Sequence, residues 1–174
     1  MNKPIFILGN PRSGTSLLRS IINSHDNIII PPECGFLQFL HAKYQGFNFS
    51  IKILNTFVED LFLTKKIEGW FLDKQNLKEY LFQKKPNNYQ YLVYLVYKFY
   101  GETNQNKKVL YWGDKNNYYL HHLDLLNSIF VNSRYIQIIR EPKDVVSSYL
   151  NVHRLPNSKY KPRFSNNISD IAYE

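Results

Sequence analysis

A glycine-containing loop near the start of the chain constrains the fold most strongly. It covers residues 9–16, with the sequence GNPRSGTS, and lies between an apolar run at residues 4–8 and an amphipathic segment. A strand, a loop with the spacing Gly-x-x-x-x-Gly and a following helix form the context of a phosphate-binding P-loop. A helix that begins at such a loop presents backbone N–H groups to an anion. The sequence therefore predicts an α/β fold with an anion site at this loop.

The loop lacks the lysine that nucleotide-hydrolysing P-loops carry. Thr15 stands at that position, and the nearest cation is Arg12, inside the loop. This substitution argues against hydrolysis of ATP or GTP. The remaining backbone N–H groups, small hydroxyl side chains and guanidinium fit a bound phosphate or sulfate. A glycine turn that merely joins strand to helix is the alternative interpretation.

The composition predicts one globular domain that favours anionic ligands. The chain has 174 residues, of which 44% are hydrophobic, enough to bury a single core. Its 22 Lys and Arg against 14 Asp and Glu give a net charge of +8, but these basic residues are scattered. Scattered basic residues favour anions in general and do not indicate nucleic acid. Cys34 is the single cysteine, which excludes an internal disulfide and a cysteine-based metal site.

The two ends of the sequence give expectations about location and completeness. The first strand follows Met1 so closely that no room remains for a secretory signal. No apolar run approaches the roughly 20 residues of a membrane-spanning helix. We therefore expect a cytoplasmic protein without a membrane span. Residues 170–174 have a helical pattern without a C-terminal signal, so we expect the chain to be incomplete at its C-terminus.

Hydrophobic periodicity predicts the order of strands and helices. Besides the first strand, short apolar runs predict strands at residues 27–30, 109–112 and 134–139. Helical spacing predicts helices at residues 15–25, 51–66, 73–84, 88–100, 117–130 and from Pro142 onward. In the first helix we expect Leu17, Leu18, Ile21 and Ile22 to pack on the sheet. This order predicts a three-layer α/β/α fold with a central parallel sheet of about four strands and a helical insertion at about residues 35–105.

Four charged side chains follow the predicted strands. Arg12, Glu33, Lys115 and Arg140 each come at or just past a strand end. The carboxyl ends of parallel strands meet at one edge of a sheet, where ligands bind in open α/β folds. The sequence therefore predicts that three cations and one carboxylate line a single cleft.

Two motifs resemble the cofactor signatures of the sulfotransferase family. The first is PRSGTS at residues 11–16, and the second is REPKDVVSS at residues 140–148. The resemblance extends from Pro4 to about Asn151 and implies one sulfotransferase-like domain, residues 1–174. In that family the two motifs bind 3′-phosphoadenosine 5′-phosphosulfate, which implies this sulfuryl donor here and no metal. The implied contacts to the 5′-phosphosulfate come from Arg12, Ser13, Gly14, Thr15 and Ser16, and those to the 3′-phosphate come from Arg140 and Ser148.

The resemblance also implies the catalytic residues Glu33, Lys115 and Arg12. Lys115, in the sequence GDK, resembles the family lysine that contacts the bridging oxygen and sulfuryl group. Members that act on small phenols carry a histidine base two residues later, where this chain has Asn117, which cannot accept a proton. Glu33, in PPECGF, resembles the glutamate base of the tyrosyl-protein and carbohydrate sulfotransferases. We expect desolvation to raise the pKa of Glu33 toward working pH, although a solvated loop glutamate is the alternative.

The predicted reaction is sulfuryl transfer to a hydroxyl acceptor, which is a carbohydrate, a tyrosyl group or a small molecule.

A P-loop nucleotide or small-molecule kinase is one alternative function, but Thr15 and the lack of an acidic strand end for magnesium count against it. An inactive, truncated fragment that binds polyanions is the other. A histidine metal site is not expected, because the neighbouring side chains of His121 and His122 diverge by about 100° on a helix.

Overall fold

A parallel sheet of four strands lies at the centre of the fold. The computed structural model describes residues 3–46 and 48–152. The strands are β1 (Ile5–Gly9), β2 (Ile28–Ile29), β3 (Tyr111–Lys115) and β4 (Arg134–Ile138). Their order across the sheet is β2-β3-β1-β4, and every pair is parallel.

Helices flank this sheet and form the segment between β2 and β3. The α-helices of the described residues are α1 (Thr15–Asn23), α2 (Phe36–Phe39), α3 (His41–Tyr44), α4 (Ile51–Leu63), α5 (Lys74–Lys84), α6 (Tyr89–Asn104), α7 (Leu123–Ile129) and α8 (Pro142–Val152). Two 3-10 helices, Ile67–Trp70 and Asn117–His121, connect them. The architecture confirms the predicted α/β fold with a central parallel sheet of four strands.

Polar side chains mark the starts of the helices in the long helical segment. Asp73 accepts a hydrogen bond from the backbone N–H of Asn76 at 2.7 Å, and Asn88 accepts one from Tyr91 at 2.8 Å. Such caps satisfy donors that have no partner within the helix. The local sequence therefore determines where α5 and α6 begin.

Aromatic side chains fill the core between the helical segment and the sheet. The rings of Tyr97 on α6 and Trp112 on β3 lie 4.8 Å apart between centroids. Trp70 packs edge-on against Tyr97 at 5.2 Å, and Phe130 packs edge-on against Trp112 at 5.4 Å. Large buried rings of this kind contribute much of the apolar area that stabilises a core.

The packing of α1 differs from the expectation. Leu17 and Ile21 are 67% and 59% exposed, whereas Leu18 and Ile22 are half-buried, so the described residues cover only part of the predicted apolar face. The polar side chains of α1 face the end of β2 instead. Arg19 donates to the carbonyl oxygen of Ile30 at 3.0 Å, and Asn23 accepts from its N–H at 2.8 Å. These contacts form because the backbone after so short a strand needs hydrogen-bond partners.

Several predicted boundaries also shift. Strand β3 begins at Tyr111 and includes Lys115, whereas the prediction ended it at residue 112. The predicted helix at residues 117–130 divides at His122, whose φ of −138° is not helical. Strand β4 lies at an edge of the described sheet, and its Ile136 is 38% exposed. The helical pattern predicted at residues 170–174 lies outside the described residues.

A lysine side chain closes the C-terminal end of α1. The ammonium group of Lys107 donates to the carbonyl oxygens of Asn23, His25 and Ile28, the last two at 3.1 and 3.0 Å. The last carbonyl groups of a helix lack partners within it, and a cation there is favourable. Lys107 therefore connects the end of α1, and the turn into β2, to the segment before β3.

Replacing Lys107 by methionine is expected to lower the free energy of unfolding by about 1–3 kcal/mol, because carbonyl oxygens lose a charged donor. Urea unfolding followed by circular dichroism measures the loss. Lys108→Met is the control, since the side chain of Lys108 is exposed. Equal unfolding midpoints for the two variants would contradict the role of Lys107.

Candidate functional site

A cleft of about 1050 Å³ opens at the carboxyl edge of the sheet. This volume is at the upper end of the range of small-molecule sites, about 300–1000 Å³. The cleft brings together eight of the nine predicted site residues, namely Arg12, Gly14, Thr15, Ser16, Glu33, Lys115, Arg140 and Ser148. Residues that are up to 136 positions apart in the sequence thus share one surface.

Ser13 is the predicted site residue that the structure does not bring to this cleft. Its side chain is buried and lines an adjoining cavity beside Arg140. Its backbone N–H donates to the carbonyl oxygen of Asn10 at 3.2 Å. The N–H group is therefore used to fold the loop.

The loop between β1 and α1 bends through two left-handed residues. Arg12 has a φ of 69° and Gly14 a φ of 98°. Glycine adopts this conformation without the clash that a Cβ atom causes. Helix α1 begins at Thr15 without a side-chain cap and without an acidic residue in its first turn. Its N-terminus therefore lies at the cleft with no carboxylate of its own to compete with an anion.

The two basic motifs contact each other at this loop. The Nε atom of Arg12 donates to the hydroxyl oxygen of Ser148 at 3.1 Å. One terminal nitrogen of Arg140 donates to the carbonyl oxygen of Arg12 at 3.0 Å. A guanidinium has five N–H donors, so each arginine keeps further donors for a ligand. The two motifs can therefore reach the same molecule.

Glu33 lies between two lysine side chains. Its Oε1 accepts from Lys115 at 2.5 Å, and its Oε2 accepts from Lys66 at 2.7 Å. Burial alone would raise the pKa of Glu33, but the charges and hydrogen bonds of Lys115 and Lys66 outweigh it and hold the pKa below its usual value. The expected rise in the pKa of Glu33 is therefore wrong. The reason is that two cations contact the carboxylate, Lys115 with the larger effect and Lys66, which the sequence does not reveal as a neighbour.

A buried carboxylate supports the end of β3. Asp114 is fully buried, and its Oδ1 accepts from the backbone N–H of Lys115 at 2.7 Å. Its Oδ2 accepts from the hydroxyl group of Tyr119. Burial raises the pKa of Asp114 to about 6, against the lowering effect of that hydroxyl. The network fixes the backbone from which the Lys115 side chain enters the cleft.

The two asparagines after Lys115 have separate positions. Asn117 lines the cleft, and its Oδ1 accepts from the hydroxyl of Thr15 at 3.3 Å. Asn116 caps the 3-10 helix by accepting from the N–H of Tyr118 at 3.1 Å. The position expected to carry a histidine base in phenol-type members therefore holds an amide that contacts Thr15, at the end of the loop between β1 and α1.

Other features of the described residues add no further site. A second cavity, about 640 Å³, opens at the opposite end of the sheet beside Pro4 and Phe130, away from every predicted site residue. No group of three or more His, Cys, Asp or Glu in residues 3–46 and 48–152 is arranged to hold a metal. None of the helices described is long and apolar enough to cross a bilayer.

Comparison with known proteins decides the family. A family model described as the sulfotransferase family matches residues 4–173, nearly the whole sequence. The chain belongs to the sulfotransferase family. Among curated proteins no relative matches.

One solved structure similar to this chain is the sulfotransferase domain from the curacin biosynthetic pathway. The two chains are 23% identical, with a TM-score of 0.49. The alignment covers 99% of this chain and 58% of that domain. The present chain therefore spans little more than half the length of the solved one.

Lys66 is a cation of the cleft that sequence reasoning missed. It follows α4, outside both basic motifs, and its φ of 72° is left-handed although it is not a glycine. Glu68 and Phe71 from the same connection also line the cleft. No local motif marks this connection, because its position depends on how the helical segment packs.

Proposed function

We propose that this sulfotransferase transfers a sulfuryl group from 3′-phosphoadenosine 5′-phosphosulfate to a hydroxyl acceptor by in-line displacement. The observation that carries the proposal is the meeting of two basic motifs in one cleft beside Lys115 and Glu33. The donor carries one phosphate at its 3′ position and a phosphosulfate at its 5′ position. Two adjacent basic motifs suit such a doubly anionic ligand.

The donor contacts follow from the positions of these motifs. The N-terminus of α1, with Gly14, Thr15 and Ser16, would bind the 5′-phosphate through N–H and hydroxyl donors. Arg140 and Ser148 would bind the 3′-phosphate, since a guanidinium forms strong charge-assisted hydrogen bonds to phosphate. Arg12 lies between the two groups and would contact the phosphosulfate. Ser13 would shape the loop from its buried position.

The chemistry at the cleft balances charge and protons. The acceptor oxygen attacks sulfur, the bond from sulfur to the bridging oxygen breaks, and its electron pair remains on the departing phosphate. Lys115 and Arg12 would stabilise the charge that develops there, which lowers the barrier most when the cations are in place beforehand. Glu33 would accept the proton of the acceptor hydroxyl. These cations take the place that magnesium has in kinases, so we propose no metal.

The remaining half of the cleft, beside Pro32, Glu68 and Phe71, would hold the acceptor. The segment around Glu33 resembles that of the tyrosyl-protein and carbohydrate sulfotransferases. We therefore propose that sugar and tyrosyl hydroxyls are the first acceptors to test.

Calorimetric titration with the donor product, 3′-phosphoadenosine 5′-phosphate, against ADP and ATP tests the proposal. We expect the 3′-phosphate to increase affinity by about 10- to 100-fold over ADP, because a hydrogen bond to a charged group contributes about 1.5–3 kcal/mol. Arg140→Met should remove this preference. Arg134→Met, at the other end of β4, is the matched control and should keep it. Preference for ADP or ATP in the unmodified chain would contradict the sulfotransferase mechanism.

A further inference from the structure

The arrangement of the two lysines around Glu33 raises a question about the base. Each oxygen of Glu33 accepts a hydrogen bond from a lysine ammonium group, which stabilises the ionised carboxylate and weakens it as a base. Glu33 therefore becomes a stronger base if one lysine withdraws. The two lysines differ in burial and in the elements that carry them.

Lys115 belongs to the donor side of the cleft. It ends β3, where its backbone pairs with Ile7 on β1, two residues before the phosphate loop begins at Gly9. Its side chain is 4% exposed. A phosphosulfate bound at the loop would approach Lys115 directly, and its oxygens would compete with Oε1 of Glu33 for the ammonium group.

Lys66 lies on the side of the cleft that is proposed to hold the acceptor. It precedes the 3-10 helix Ile67–Trp70, and this connection is joined to the segment that carries Glu33. The indole N–H of Trp70 donates to the carbonyl oxygen of Pro32 at 2.8 Å. The thiol of Cys34 contacts the carbonyl oxygen of Lys65 at 3.7 Å. The residues on both sides of Glu33 are thus attached to the connection that carries Lys66.

The backbone at Lys66 is consistent with a fixed position. A non-glycine residue in the left-handed region costs about 1–2 kcal/mol and persists only where the surroundings impose it. Here the surroundings are Ile67 and Trp70, both buried, and the carbonyl oxygen of Lys66 accepts from the N–H of Gly69 at 3.1 Å. The ammonium group is therefore directed at Glu33 from a packed support.

We propose that Lys66 is the positioning residue of Glu33, holding Oε2 of the carboxylate in place when the donor withdraws Lys115 from Oε1. This inference rests on the proposed function. While both contacts are formed, the two lysines stabilise the ionised form of Glu33. Once Lys115 turns to the bridging oxygen of the donor, Oε1 is released toward the acceptor hydroxyl while Lys66 maintains its orientation. Glu33 then becomes a stronger base once the donor has bound.

Other charged groups near Glu33 do not replace Lys66. Glu68, on the 3-10 helix, lines this side of the cleft, and Asp114 lies behind Lys115. Both are acidic, so neither can supply a positive charge to Glu33. Burial raises the pKa of the Cys34 thiol to about 12, so that it stays neutral. Arg12 lies on the donor side, in contact with Ser148. Removing Lys66 thus leaves Lys115 as the cation in contact with Glu33.

The test compares Lys66→Met with Lys78→Met in the whole chain. Lys78 forms an ion pair of similar length, 2.8 Å to Glu59 on the helical segment, and it is not among the residues that line the cleft. Carbon-13 NMR of glutamate-labelled protein follows the carboxyl titration of Glu33, which is assigned with Glu33→Gln. Losing a positive neighbour favours the protonated form, so Lys66→Met should move the Glu33 midpoint to higher pH. Lys78→Met should leave it in place.

The same experiment with 3′-phosphoadenosine 5′-phosphate tests the withdrawal of Lys115. Binding should move the Glu33 midpoint to higher pH in the unmodified chain, since Lys115 leaves Oε1. Where an acceptor supports turnover, Lys66→Met should reduce kcat by about tenfold, less than the 10²–10⁴-fold contribution of a general base. The acid limb of the pH–rate profile of Lys66→Met should move to higher pH. Lys66→Arg should recover part of the rate.

The possible failures separate the two proposals. A Glu33 midpoint that Lys66→Met does not move would overturn the role of Lys66, even if the nucleotide binds as proposed. A nucleotide that binds without moving the midpoint would overturn the withdrawal of Lys115. Failure to bind the nucleotide in calorimetry would overturn the proposed function, and this inference with it.

Discussion

Methionine in place of Lys115 is expected to reduce sulfuryl transfer by about 10²–10³-fold, the usual effect of removing one fixed group that stabilises transition-state charge. The methionine side chain keeps most of the buried apolar stem of Lys115 but cannot neutralise the departing phosphate oxygen. Glu33 would still be paired with Lys66, so the substitution leaves no isolated carboxylate. Radiolabelled donor, offered with a panel of sugars, tyrosyl peptides and phenols, measures the rate.

Two controls separate chemistry from binding in this experiment. Affinity for 3′-phosphoadenosine 5′-phosphate should fall much less than the rate does in Lys115→Met, because Arg140 and Ser148 would still hold the 3′-phosphate. Lys78→Met, the same change at a lysine remote from the cleft, should retain full turnover. Similar rates for the two methionine variants would contradict the catalytic role of Lys115.

Alanine in place of Gly113 is expected to lower the free energy of unfolding by about 3 kcal/mol, at the upper end of the usual overpacking cost. Gly113 pairs with Ile5 across β3 and β1. A Cβ atom at Gly113 would lie 2.2 Å from the carbonyl oxygen of Ile5, a backbone atom that cannot move aside by a side-chain rotation. The two central strands would have to separate two residues before Lys115.

Gly69→Ala is the matched control, because no atom lies within 4 Å of a Cβ placed there. We expect its stability to change by less than about 0.5 kcal/mol, as for ordinary surface substitutions. Urea unfolding of both variants, followed by circular dichroism, gives the comparison. A Gly113→Ala midpoint equal to that of Gly69→Ala would show that the strands accommodate the methyl group.

The parts of the fold that could be predicted depend on local chemistry. The loop between β1 and α1 needs glycine at Gly14, which is left-handed, and Asp73 caps a helix through its own side chain. The meeting of Arg12, Lys115 and Arg140 could also be predicted, since parallel strands bring their carboxyl ends to one edge. Predicting that these three residues meet does not depend on how the helical segment packs.

The parts that could not be predicted depend on packing between distant segments. Lys66 reaches Glu33 because Trp70 is buried beside Pro32. No sequence pattern around Lys66 predicts the contact between Lys66 and Glu33. The contacts of Glu33 with Lys115 and Lys66, the former with the larger effect, reverse the expected direction of the Glu33 pKa. Likewise, the faces of α1 could not be assigned from periodicity, because Arg19 and Asn23 are needed at the end of β2.

The hydrogen bond from Arg140 to the carbonyl oxygen of Arg12 joins the two motifs proposed to bind the nucleotide. The group proposed to hold one end of the ligand also supports the backbone proposed to hold the other, so we expect binding at the two ends to be thermodynamically coupled. Losing Arg140 should therefore weaken more than one contact, and nucleotides that lack one phosphate should lose affinity cooperatively rather than additively. Selectivity for the intact donor would then depend on Arg140 and the loop that carries Arg12 acting together.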